Sequence, residues 1–217
     1  MKSLYGIYLG IIFAAMVLSL PLAFVLPVEW SFENGLIENA QVAVLILGAV
    51  LTLTIKSSAQ MKWFRRFFAA GLFLMALREL SWGRVFFPVD MEDFGAVFVS
   101  MADYPYRIPV YIFLAIYGAA MLFVLIKFVP VKKILLSRQP LAAFALILAT
   151  IILAHIGDKG RLIDKAHGQI LEELNELLMY LLLLVINFYY TWQQKKSVEL
   201  NRRIFFSATR IIYFVVH

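Results

Sequence analysis

The residues that invite chemistry are carboxylates and imidazoles set in otherwise apolar sequence. HGQILEELNELLMYL, residues 167–181, puts Gln169, Glu172, Glu173, Glu176 and Tyr180 at helical spacing. They form one stripe, with Asn175 beside it. Acids in a helix's first turn meet its positive end, which accounts for Glu172 and Glu173 but poorly for Glu176, since the benefit fades after one turn. Three carboxylates on one stripe repel unless a cation, a proton or an arginine is shared. A divalent metal or a coupled proton is one solution. Salt bridges to Arg78, Arg84 or Lys159 are the other.

Two further segments carry reactive groups. In HIGDKGRLIDKAH, residues 155–167, His155 and Asp158 share a helix face, and His167 follows just before the acidic stripe. Imidazole and carboxylate together can ligate zinc, manganese or iron. The same pair also serves as a plain hydrogen-bonded contact between helices. In ALRELSWGR, residues 76–84, Arg78 and Glu79 are adjacent. They project about 100° apart on a helix, so each needs a partner on another helix. Trp82 lies within one turn of both. Glu38 opens another apolar stretch, with Asn39 and Gln41 close by.

These residues suggest a division of labour. Glu38, His155, His167, Glu172 and Glu173 are the candidate metal ligands. Glu79, Asp158 and Glu176 are the candidate acids and bases. Arg78, Trp82 and Arg84 are the candidate substrate contacts, with Arg78 an anion anchor for a phosphate headgroup. The implied chemistry is hydrolysis or group transfer, with a divalent ion activating water and a glutamate as general base. The alternative is a non-catalytic membrane protein, either an ion- or proton-coupled transporter or an assembly subunit, whose charges are salt-bridged.

The surrounding sequence says what must position them. Of 217 residues, 63% are hydrophobic and 16% charged, against about 25% charged in a soluble domain. Mean hydropathy is +0.84, which points to an all-α, polytopic membrane protein. Six stretches approach the length of about 20 apolar residues that a spanning helix needs: Leu4–Leu26, Leu36–Ile55, Phe67–Phe87, Ile108–Phe128, Pro140–Ile156 and Ile170–Trp192. The third is interrupted by Arg78 and Glu79. The first exceeds a signal-peptide core and lacks a small-residue cleavage site, so it reads as a retained helix, bent or ended by Pro21 and Pro27.

Charge sets the orientation. Fourteen of the twenty basic residues fall at Lys2, in the loops after spans two and four, or after span six. By the positive-inside rule these segments and both termini are cytoplasmic. Thirteen of the fourteen acids lie on the other side, Glu199 being the exception. The expected location is the cell membrane, multi-pass, and the inner membrane in a Gram-negative cell. Residues 1–194 then form the six-span bundle and 195–217 a basic cytoplasmic tail. RRIFFSATRIIYFVVH, residues 202–217, is too short to span and reads as an interfacial amphipathic helix. The longest outer loop, Pro88–Arg107, has an apolar centre, FGAVFVSM, that could lie on the outer leaflet and cap a cavity.

The basic residues fall in separate short loops without a nucleic-acid motif, so no nucleic-acid partner is expected. The expected partner is membrane lipid, and a homo-oligomer is compatible with the pattern. There is no cysteine, no glycine-rich phosphate loop, no serine nucleophile elbow and no HExxH. With His155 and Asp158 near a helix end, the layout is similar to that of integral-membrane hydrolases of the alkaline ceramidase and adiponectin-receptor type. That likeness implies a zinc held near helix ends. It is one of architecture, since their closing His-x-x-x-His and seventh span have no counterpart here.

Overall fold

The computed structural model describes the backbone of residues 2–54, 59–92, 95–129, 141–159 and 163–216, and the side chains of 5–54, 62–90, 96–129, 141–159 and 163–190. The chain is mostly helical. The helices are α1 (Lys2–Ala23), α2 (Leu36–Thr54), α3 (Ala59–Glu79), α4 (Arg107–Phe128), α5 (Leu141–Asp158) and α6 (Lys165–Val216). Four are long and apolar enough to cross a membrane: α1 from Tyr5, α2, α4 and α5. The apolar stretches of α3 and α6 are crossed by Arg78 and Glu79 and by the acidic stripe.

Long α6 is the axis of the bundle. It packs against α1, α2, α3 and α5, whereas α4 leans mainly on α3 and buries no residue. Between α2, α3 and α6 lies a dry layer of Leu45, Ala49, Leu72 and Ala76, closed at the Glu79 end by Tyr180. A second cluster, Ala23, Ile37, Ile170 and Leu171, ties α1 and α2 to the start of α6. The end of α5 meets the start of α6 backbone to backbone. A Cβ on Gly168 would sit 2.6 Å from the Gly157 carbonyl oxygen, and one on Gly157 would sit 3.0 Å from the Glu172 amide nitrogen. Only glycine at both positions permits this crossing, which fixes the height of the acidic stripe beside α5.

The third expected span, Phe67–Phe87, is not one helix. α3 begins earlier, at Ala59, and stops at Glu79. Ser81, Trp82 and Gly83 then take left-handed backbone (φ 47, 58 and 89°) inside a 3-10 segment, Ser81–Phe86. Two consecutive non-glycine residues in that region are uncommon, and surrounding structure must hold them there. Here Phe87, Tyr104 and Tyr106 pack as an aromatic cluster, and the Tyr104 hydroxyl reaches the Trp82 carbonyl at 3.4 Å.

The outer loop departs from the all-α expectation. It forms a two-stranded antiparallel hairpin, β1 (Pro88–Glu92) with β2 (Gly95–Phe98). Alternating β-formers such as Val89 and Val97 suit a pleated pair, and Pro88 sits at the strand start, where a missing donor is tolerated. The last expected span and the basic tail are one continuous helix of 52 residues, with no break in the backbone at 194. The interfacial character expected of 202–217 concerns side chains outside the described residues.

Candidate functional site

Where α3 breaks, α2, α3 and α6 splay around a polar cavity of about 400 Å³. Glu38 enters from α2, Arg78 and Glu79 from the end of α3, Trp82 and Arg84 from the 3-10 segment, and Glu172, Glu173 and Glu176 from α6. Eight of the eleven residues singled out for chemistry therefore meet in one space. Glu33, Ser81 and Gln169 complete the lining.

Each acid has its own environment. Glu79 is buried, 6% exposed. It accepts a 2.6 Å hydrogen bond from the Tyr180 hydroxyl and lies 3.4 Å from Arg78 Nε. Arg78 Nη2 donates to both oxygens of Glu176 at 3.0 and 3.2 Å. The two adjacent residues thus find their main partners on α6. Glu173 accepts 2.8 Å from Gln41 Nε2, which also donates 2.9 Å to the Glu173 carbonyl oxygen. Glu38 reaches back to the Asn34 amide, closing the first turn of α2 as a capping box does. Glu33 accepts 2.8 Å from the Ser81 hydroxyl. Glu172, half-buried, has no hydrogen bond or ion pair among the described residues.

Arg84 is held differently from Arg78. Its Nε donates to the Ser81 carbonyl oxygen at 3.2 Å and its Nη1 to the Val99 carbonyl oxygen at 3.4 Å. No carboxylate pairs with it among the described residues. The aromatic cluster and hairpin that hold the left-handed turn thereby also hold this guanidinium at the cavity wall.

The remaining three candidates lie elsewhere. His155 is exposed on α5. Asp158 pairs with Lys159 at 3.1 Å on the surface. His167 pairs with Asp164 at 2.6 Å and stacks on Phe24 with ring centroids 5.0 Å apart. Asp164 also accepts from the amides of Ala166 and His167, so it is the N-cap of α6. The hydrogen bond from His167 holds the Asp164 carboxyl below its ordinary range. Among the described residues no group of three or more His, Asp and Glu is placed to hold a metal ion. Of the expected metal set, Glu38, Glu172 and Glu173 line the cavity, while His155 and His167 are not among its lining residues.

Glu33 reads from sequence as a solvated loop charge, yet it belongs to the cavity. The signal was its position just before Glu38, at the same outer level. Comparison with protein-family models, curated proteins and solved structures finds no match for this chain.

Proposed function

We propose that the chain is a six-span protein of the cell membrane with both termini cytoplasmic. Its cavity opens to the outer side and receives the polar head of a lipid-linked or amphipathic substrate. The observation that carries this reading is the convergence of carboxylates and guanidinium groups from three helices on one cavity, at the end opposite the basic loops. Buried ionisable groups in a spanning bundle are costly and tend to mark function. The chemistry that suits the lining is hydrolysis or group transfer by carboxylate acid–base catalysis. Glu79, held by the Tyr180 hydroxyl, is the acid best placed for it.

A second reading has its own support. Arg78 satisfies Glu176 and approaches Glu79, so this subset also works as polar glue in a non-catalytic assembly subunit. Transport across the membrane has less support, because the dry layer of Leu45, Ala49, Leu72 and Ala76 lies beneath the cavity.

The absence of cysteine allows a clean test. Ser81→Cys places a unique thiol in the cavity wall, and Lys62→Cys places one near the opposite end of α3. In intact cells a membrane-impermeant thiol reagent should label the first and spare the second until the cells are permeabilised. The reverse pattern would overturn the reading.

A further inference from the structure

Two charged groups of opposite sign in the cavity make no ion pair among the described residues. Among the described residues Glu172 makes no hydrogen bond or ion pair, while Glu173, Glu176, Glu38 and Glu33 each accept a hydrogen bond. Arg84 donates only to carbonyl oxygens. These bonds aim the guanidinium without neutralising it. The two groups line the same space of about 400 Å³ but form no ion pair. A long, flexible glutamate and an arginine in one polar cavity would ordinarily close on each other. Arg84 is tethered at one wall by Ser81 and Val99, and Glu172 is fixed to the first turns of α6 at the Gly157–Gly168 crossing.

Resting on the reading of this cavity as an outward-facing headgroup site, we propose that its ligand joins a phosphate to a primary amine, the phosphoethanolamine class. The phosphate sits at Arg84 and the ammonium at Glu172. Guanidinium presents a planar fork suited to phosphate oxygens. The glutamate side chains of the lining offer acceptors to a guest with a hydrogen-donating cationic end. A quaternary ammonium would want an aromatic cage, and Trp82 is the one aromatic side chain among the described lining residues. A primary ammonium instead donates hydrogen bonds, which carboxylates accept.

Such a group reaches the cavity either as a lipid headgroup in the outer leaflet or as a soluble compound from outside. The full chain in phosphatidylcholine nanodiscs is titrated calorimetrically with O-phosphoethanolamine, phosphocholine, ethanolamine and inorganic phosphate. Phosphoethanolamine should bind at least about tenfold more tightly than the other three, the size of one lost charge-assisted hydrogen bond. Glu172→Gln and Arg84→Gln should each weaken it by about tenfold or more, and Arg84→Lys by less than Arg84→Gln. Discs containing phosphatidylethanolamine distinguish the sources. Weaker apparent binding of the soluble probe there means that the lipid headgroup competes, and unchanged binding means that the soluble compound is the ligand. Equal affinity for phosphocholine or ethanolamine, or indifference to both variants, would overturn the proposal. So would failure of phosphoethanolamine to bind in phosphatidylcholine discs. If Ser81→Cys is still labelled from outside, that failure removes the ligand class and leaves the cavity reading standing. If Ser81→Cys is not labelled, both fall.

Discussion

Two polar regions sit at opposite ends of the dry layer, and they are built on opposite plans. At the end away from the cavity Arg65 is 9% exposed and donates to the Thr52 and Leu53 carbonyl oxygens, each at 2.7 Å. These are among the last carbonyls of α2, which have no partner within the helix. Asn187 of α6 donates to the Thr52 hydroxyl at 2.6 Å, and that hydroxyl donates to the Gly48 carbonyl oxygen. This network ends α2 and ties α2, α3 and α6 together with short bonds. At the cavity end six glutamates and two guanidinium groups surround an open space, and neither Glu172 nor Arg84 makes an ion pair among the described residues. A polar network spent on joining helices supports architecture. An open one that leaves opposite charges apart is shaped for a guest.

The comparison can be broken most forcefully at its closed end. Arg65→Met leaves two α2 carbonyls without their charged donor in a buried place. Hydrogen bonds to charged groups contribute about 1.5–3 kcal/mol each. The variant should lose about 3 kcal/mol and show a larger fall in melting temperature than any substitution at the cavity end. Arg65→Lys, with one compact head in place of the fork, should fall between Arg65→Met and wild type. A melting curve close to wild type for Arg65→Met would show that this end is not the structural lock.

At the cavity end stability should depend less on any one residue, and the effects should be graded by burial. Tyr180→Phe removes the hydroxyl donor from buried Glu79 at the junction of cavity and dry layer, and should cost about 1–3 kcal/mol. Glu176→Gln acts on a pair whose arginine side chain is 55% exposed, so its cost should stay below about 1 kcal/mol. From sequence alone Arg78 lies near the bilayer midplane and the same substitution would cost several times more. The break of α3 one residue after Glu79 opens the space that solvates Arg78. A fall for Glu176→Gln as large as for Arg65→Met would mean that the outer cluster is also a closed lock.

What was legible in the sequence followed periodicity. The stripe from Gln169 to Tyr180 depends only on helical spacing, and the structure turns most of it into the cavity. Glu38 and Glu79 were legible by depth, being acids at the outer ends of apolar runs. Depth gives a level along the bundle but no direction around it. His155, Asp158 and His167 share the level yet do not line the cavity, because the Gly157–Gly168 crossing sets how α5 and α6 are turned against each other. The break after Glu79 was hidden because Ser81 and Trp82 adopt left-handed backbone only under the hold of Tyr104 and its aromatic neighbours. Those residues come from some twenty positions downstream, and local propensity carries no trace of them. The hairpin within Pro88–Arg107 was hidden for a similar reason, since a short apolar run does not distinguish strand from helix.

The smallest expected effect lies just outside the cavity, at the cap that aims α6 into it. Asp164 accepts from two amides and from the His167 ring, and the hydrogen bond from His167 keeps its carboxyl below the ordinary range. A carboxyl whose folded value is depressed stabilises the fold at pH above its unfolded value. That contribution is lost as the pH falls through the lower folded value. Asp164→Asn retains an acceptor for the amides while removing the charge. Its melting temperature should lie slightly below wild type near neutral pH, and the two should converge as the solution is acidified past the carboxylate range. A gap that widens on acidification would have the wrong sign and would remove Asp164 as an ionised cap. A gap larger than that of Glu176→Gln would place the anchoring of α6 at its first turn, outside both the closed network and the open cavity.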